Sequence, residues 1–194
     1  MSQPDSGSVP TVETERFRQV IRHLASGVTI ITSSLGGEPV GLTATAVCSI
    51  SATPPMLLVS VTAGCRTALG MEKSGAFAVH MLRHAGRRYA EQFAARGHHF
   101  AGVELRHDPD TKVPLLHDVL GWFLCAVEQV VPAADHVLFV GRVLQCELKD
   151  KAPDPLLYFD RSYRKLAPGA EPGAENLEPW GSPQDAGLPG WGWP

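Results

Sequence analysis

The chain has 194 residues, 44% of them apolar and 19% charged, with a formal charge of −3. Its isoelectric point is near 6.2. That length and composition suit one globular domain with a full core, and the mildly acidic balance argues against a nucleic-acid binder or a basic membrane-surface protein. No segment approaches the roughly 18 apolar residues of a membrane span, and the polar start of the chain lacks a basic-then-apolar signal pattern. The four cysteines, Cys48, Cys65, Cys125 and Cys146, form no Cys-x-x-Cys pair. We therefore expect a cytoplasmic protein with reduced thiols, without a disulfide scaffold or a zinc site.

Residues 1–10 read as a flexible leader. Thr11 to Ala25 predicts a helix, with Phe17, Val20, Ile21 and Leu24 at helical spacing, Thr11 as N-cap and Gly27 ending the pattern. Val28 to Thr32 is β-branched and predicts a strand, and Gly36-Gly37 predicts a hairpin turn. Val40 to Ser51 then reads as one longer strand, followed by Pro54-Pro55 and by Met56 to Thr62, apolar enough to be buried on both faces. A short helix over Thr67 to Ser74, a strand over Ala76 to Leu82 and a helix over Ala85 to Ala95 come next. Arg83, Arg87, Arg88 and Glu91 read as the solvated face of that helix. Residues 97–118 read as loop. Trp122 to Val131 and His136 to Leu148 read as long strands separated by Pro132 to Asp135, and a short pair closes the domain around Arg161-Ser162. Many short strands with few helices predict a closed or partly closed antiparallel barrel. No Gly-x-Gly-x-x-Gly follows a strand, which argues against a dinucleotide-binding α/β fold. The domain is expected to span 11–166. From Ala167 the composition turns to Pro, Gly, Glu and Ala, and 167–194 reads as a disordered tail whose Trp180, Trp191 and Trp193 could serve as apolar anchors.

Three stretches could carry chemistry. Between Gly41 and Ser51, Thr43, Thr45, Ser49 and Ser51 alternate with small residues. On a strand that puts hydroxyls on one side of an unusually bare surface, on which a planar ring could lie; an ordinary edge strand accounts for the same composition. Ala63-Gly64-Cys65-Arg66-Thr67 follows a strand and opens a helix, where free N–H groups and the helix dipole attract phosphate. Arg66 would add a charged donor and Thr67 a hydroxyl or an N-cap, although capping alone explains the pattern equally well. Asp135-His136 sits in a turn, where a histidine can exchange protons near neutral pH or simply be solvated. His80 and His84 span a strand end and a loop, so their spacing offers no metal site, and His98, His99, His107 and His117 lack ligand spacing.

These segments fall in a familiar order. "FRQVIRHLASGVTIIT" from Phe17, "GLTATAVCSISATPP" from Gly41, "AFAVHML" from Ala76, "FAGVE" from Phe100, "DHVLFVGRV" from Asp135 and "PLLYFDRSYRKL" from Pro155 together resemble the short-chain flavin reductases over residues 15–166. The resemblance implies a mainly β fold with a few helices, an antiparallel, Greek-key-like split β-barrel that binds FMN (or FAD) as a homodimer. It implies an NAD(P)H:flavin oxidoreductase, with NADH or NADPH as hydride donor, that supplies reduced flavin to a partner flavin-dependent monooxygenase. By the same similarity Thr43, Ala44, Thr45 and Ala46 would meet the flavin ring edge, largely through backbone groups, with Ser49 facing it. Cys65, Arg66 and Thr67 would line the phosphate, His136 would sit beside the nicotinamide as the catalytic candidate, and Tyr163 would lie near the dinucleotide. The chain departs from the family at Thr62 and Cys65, where Asn and Ser are frequent, and at His80, where Asn is common. A flavin-holding electron carrier of the same fold and a non-catalytic binding subunit are the alternatives.

Overall fold

The computed structural model describes residues 11–95, 97, 99–149 and 154–166. The expected leader 1–10 and the tryptophan-bearing tail 167–194 lie outside the described residues. The first helix is shorter than its apolar pattern. α1 spans Thr14–Ile21, and its N-cap is Glu13 rather than Thr11, with no side-chain capping bond. None of its residues is buried, and Phe17, Val20 and Leu24 are more than half exposed.

β1 (Ser26–Gly27) and β2 (Thr29–Leu35) follow, and β2 turns back into β3 (Glu38–Ala44). The turn residues Gly36 and Gly37 have φ of 63° and 88°, the left-handed backbone that a two-residue hairpin of this kind needs at both positions. The single strand expected over 40–51 is in fact two. β3 ends at Ala44, and β4 (Val47–Ala52) starts after Thr45-Ala46. The hydroxyl alternation therefore does not run along one strand face. β5 (Pro55–Thr62) buries Leu57, Val59 and Val61 but leaves the alternate residues partly exposed, so it is buried on one face rather than two.

α2 (Arg66–Ser74), β6 (Ala76–Met81), a 3₁₀ turn (His84–Gly86) and α3 (Arg87–Ala94) come next. The stretch expected as loop contains β7 (Leu105–His107) and β8 (Pro114–Leu116), which pair antiparallel; Val113, Leu115 and Leu116 are buried there. β9 (Gly121–Ala133) and β10 (His136–Leu148) form the longest ladder, joined by Ala134 and Asp135 alone. β11 (Leu157–Phe159) and β12 (Ser162–Arg164) form the closing hairpin. Its turn is Asp160-Arg161, at φ of 46° and 59°, one residue earlier than expected.

The main sheet is antiparallel, mainly β architecture in the order β3-β2-β6-β9-β10-β5-β4. Its two edge strands, β3 and β4, are consecutive in sequence and separated only by Thr45-Ala46. Two residues span about 7 Å at strand rise, so the seven-stranded sheet must curl until its edges meet at that seam. Hydrogen bonds fix the seam: Val47 N–H donates to the Thr45 carbonyl (3.1 Å) and Ser60 N–H to the Ala46 carbonyl (3.0 Å). Alternation along β2 and β6 fills both sheet faces. Ile31, Phe77 and Val79 pack with Val59, Val61 and Phe139 on one side. Ile30 and Ala78 pack on the other with Trp122, Leu124, β8 and the Tyr89, Ala90 and Phe93 face of α3.

The chain end is tied beside β2. Leu82 N–H donates to Val28 and Leu156 N–H to Leu82 (3.1 and 2.9 Å), and β1 pairs with β11. That return carries β12, and with it Tyr163, to the end of β3.

Candidate functional site

β3 lines two cavities in succession. The larger, about 710 Å³, runs along Glu38 to Leu42 and is closed by Cys65, Arg66 and Thr67 on one side and by Ala95, Gly97 and His99 to Ala101 on the other. The smaller, about 210 Å³, is lined by Thr43, Ala44 and Thr45 with Val28, Ala94, Tyr158 and Tyr163. Seven of the sequence candidates thus collect along one strand, with Tyr163 opposite the first three. Ala46 lies exposed in the seam, Ser49 lies exposed on β4 opposite Leu57, and neither lines a cavity. His136 pairs with Thr62 at the end of β5, and the Asp135 carbonyl accepts the Ala63 N–H (3.0 Å). These contacts set the histidine beside the turn leading into α2.

That turn opens helix α2. Gly64 takes φ of 70°, and the chain then enters α2. The N-cap is Cys65, whose Sγ accepts the Ala68 N–H (3.3 Å); it is not Thr67, which is buried as the helix's second residue. Cysteine here caps the helix rather than donating to a ligand. The first turn of a helix presents N–H groups without helical partners, and Arg66 is exposed at that end of the cavity.

The seam is pre-set rather than loose. Thr29 Oγ1 donates to the Ala44 carbonyl (2.7 Å), and Thr43 Oγ1 donates to the Ala90 carbonyl on α3 (2.7 Å). The Thr43 hydroxyl is therefore a tie between strand and helix. Gly41 must be glycine: a Cβ would lie 2.9 Å from Phe93 Cε1 and 3.2 Å from Phe100 Cζ. Its bare backbone lets Phe93 and Phe100, edge-to-face at 4.9 Å, close against β3.

His136 Nδ1 donates to Asp135 Oδ1 (2.7 Å), leaving Nε2 outward. The same bond and the histidine's charge hold the Asp135 carboxyl below its ordinary range. Tyr163 packs edge-to-face on Tyr158 at 5.4 Å, with the Arg87 guanidinium 5.3 Å from its ring centre and Arg87 Nε donating to Glu91 (2.8 Å). Burial, reinforced by Glu91 and Tyr158, raises the Tyr163 phenol above its usual value, so it stays a neutral hydroxyl. Burial also pushes the Cys125 thiol up to about 12, which removes it from redox chemistry. No group of three or more His, Cys, Asp or Glu residues among the described residues could hold a metal. Sequence reasoning placed Gly41 in the bare stretch but missed Glu38, His99, Phe100 and Tyr158 as cavity residues. The one signal available for these was that Phe100 and Tyr158 lie inside stretches singled out for other reasons.

Residues 21–167 match the family described as "Flavin reductase like domain". The chain belongs to this family. A relative in Thermus thermophilus, the reductase component of a 4-hydroxyphenylacetate 3-monooxygenase, is 34% identical over 152 residues, 78% of this chain and 96% of that protein. A flavin reductase (NADH) of Kitasatospora aureofaciens is 35% identical over 158 residues, 79% of this chain and 82% of that one. Among solved structures, the nitrilotriacetate monooxygenase component B homologue of Mycobacterium thermoresistibile superposes with a TM-score of 0.76 at 29% identity, over 84% of this chain and 94% of its own. A flavin reductase domain protein of Arthrobacter superposes with a TM-score of 0.75, also at 29% identity, over 80% and 97%. The fold is thus the flavin reductase fold.

A flavin fits what this chain offers. The large cavity combines a helix N-terminus and a guanidinium at one end with apolar β3 and aromatic walls, the mixture an anionic, flat ligand requires.

Proposed function

We propose that this flavin reductase family member transfers a hydride from NADH or NADPH to FMN or FAD and that the reduced flavin serves a partner monooxygenase. The observation that carries this is the placement of both candidate subsites on one strand: Thr43 to Thr45 facing Tyr163, and Cys65 to Thr67 on the cavity that precedes them. The relatives' names supply the donor and the class of partner. When bound, the flavin supplies the two-electron acceptor, so the protein needs no nucleophile of its own. The residues bind and orient. Arg66 and the start of α2 hold the phosphate, Thr43 to Thr45 border the ring, and Tyr163 walls the dinucleotide side. His136, fixed by Asp135, orients the nicotinamide through its outward Nε2 at reacting distance.

This role for His136 predicts that His136→Ala raises KM for NADH several-fold while the flavin Kd stays within twofold. Equal kinetics for the two proteins would remove His136 from the site.

The working unit is a homodimer. Phe17, Val20, Ile21 and Leu24 stand exposed along and just past α1, and a helix of eight residues without a buried face is unstable in water by itself. A second copy is the cover this stripe calls for. Sedimentation should give a dimer that Phe17→Asp with Val20→Asp converts to monomer; a monomeric wild type would overturn it. All four cysteines are free thiols, which supports a cytoplasmic location, and no described helix is long and apolar enough to cross a membrane.

A further inference from the structure

His99 makes a pair of contacts that a neutral imidazole cannot make. Its Nδ1 lies 2.9 Å from the Gly41 carbonyl oxygen on β3, and its Nε2 lies 2.6 Å from the Ala95 carbonyl oxygen at the end of α3. Both partners are acceptors. A neutral ring has one N–H and one lone pair, so one contact would set a lone pair against a carbonyl oxygen. Only the imidazolium donates from both nitrogens. The residue is also held in place: Gln92 Nε2 donates to its carbonyl (2.7 Å), and its ring sits 5.7 Å from that of Phe93.

The charge has a use where it stands. His99 lines the large cavity together with Arg66 and Glu38. Among the described lining residues, the Arg66 charge is balanced by the Glu38 carboxylate, and a charged His99 tips that balance positive. Among the described residues, the other titratable neighbour there is the Cys65 thiol, and the contacts from α3 and its end come from Gln92, Phe93 and Ala95, none of them ionisable.

We propose that His99 is a positioning residue of the flavin site: as an imidazolium it ties β3 to the end of α3 and adds, beside Arg66, a second positive charge for the flavin phosphate. This rests on the large cavity being the phosphate site. Ligand phosphate favours the charged ring, and the charged ring favours the phosphate, so binding is proton-linked.

The test is FMN affinity by fluorescence titration from pH 6 to 8.5 for wild type, His99→Gln, His99→Lys and Arg66→Ala, each checked for folding by its melting curve. Taking the ratio of Kd values at each pH cancels the titration of FMN itself. The Kd of His99→Gln should exceed that of wild type about tenfold at pH 6, the size of one positive charge a few ångströms from the phosphate near the protein surface, and the ratio should fall toward one by pH 8.5. His99→Lys, which keeps charge and donors, should match wild type at pH 6 and bind more tightly than it at pH 8.5. Nitrogen-15 chemical shifts of the His99 ring at pH 6 should show both nitrogens protonated. A ratio of one at every pH, or one that does not change with pH, overturns the proposal. Loss of affinity in Arg66→Ala without any in His99→Gln sinks the histidine's role alone. No loss in either variant removes the phosphate site and the proposal with it.

Discussion

Replacing Arg66 with alanine is expected to weaken FMN binding about tenfold and to leave riboflavin binding unchanged. Arg66 opens α2 and lines the large cavity, and a guanidinium pairs with phosphate through a fork of N–H donors. A hydrogen bond to a charged partner contributes roughly 1.5–3 kcal/mol. Arg66 is exposed and screened by water, which puts the effect at the lower end. The helix N–H groups remain in the variant, so binding is reduced and not abolished. Arg66→Lys restores part of the loss, because a point charge replaces a fork. Riboflavin lacks the phosphate and therefore serves as the internal control in the same titration. Raising the salt concentration should weaken FMN binding to wild type more than to Arg66→Ala. Equal losses for FMN and riboflavin would mean that Arg66 supports the fold of the cavity and does not hold the phosphate.

Acid weakens this fold through a buried histidine that lines neither cavity. His80 is fully buried near the C-terminal end of β6. Its Nδ1 donates to the Ile30 carbonyl on β2 (3.0 Å), and its Nε2 accepts the Leu116 N–H on β8 (3.2 Å). The neutral ring thus satisfies three strands at once, and a proton on Nε2 would meet an N–H. Burial, with a smaller contribution from Lys149, pushes His80 down from 6.5 to about 4. In the unfolded chain it takes up a proton near 6.5, whereas in the fold it does not until about 4. The contribution of the neutral ring is therefore intact above 6.5 and is lost as the pH falls from 6.5 to 4, by about 3 kcal/mol in all. Urea unfolding at pH 7, 5.5 and 4.5 should show this decline, and His80→Asn should have a shallower one, since an amide keeps a donor and an acceptor without titrating. Parallel pH curves for the two proteins would rule His80 out as the cause.

The sequence announces the elements whose signals are local. Gly36-Gly37 names its turn because only glycine takes two left-handed positions in succession without cost, and β9 and β10 are plain from their length and β-branched content. The seam is not announced. Nothing in Leu42 to Cys48 distinguishes a strand that continues from one that breaks at Thr45-Ala46. The break follows from which partners the flanking residues find, β2 on one side and β5 on the other, and those lie next to opposite edges of the sheet. Helix α1 is overestimated for a related reason: its apolar pattern extends past the residues that complete helical hydrogen bonds. β7 and β8 are hidden by Pro, His and Asp on their flanks, although Val113 to Leu116 is an apolar run. Of the site, Cys65 to Thr67 and Thr43 to Thr45 were singled out by a strand-to-helix turn and a bare hydroxyl-rich stretch, patterns that helix capping and an ordinary edge strand also produce. His99 was not, because its significance lies in two carbonyls 58 and 4 residues away.

Anaerobic mixing of the protein with NADH and excess FMN, followed at the oxidised-flavin absorbance band, tests hydride transfer to flavin most directly. Catalytic bleaching of many equivalents of FMN per protein is the predicted result; no bleaching with either NADH or NADPH, and with either FMN or FAD, would contradict it.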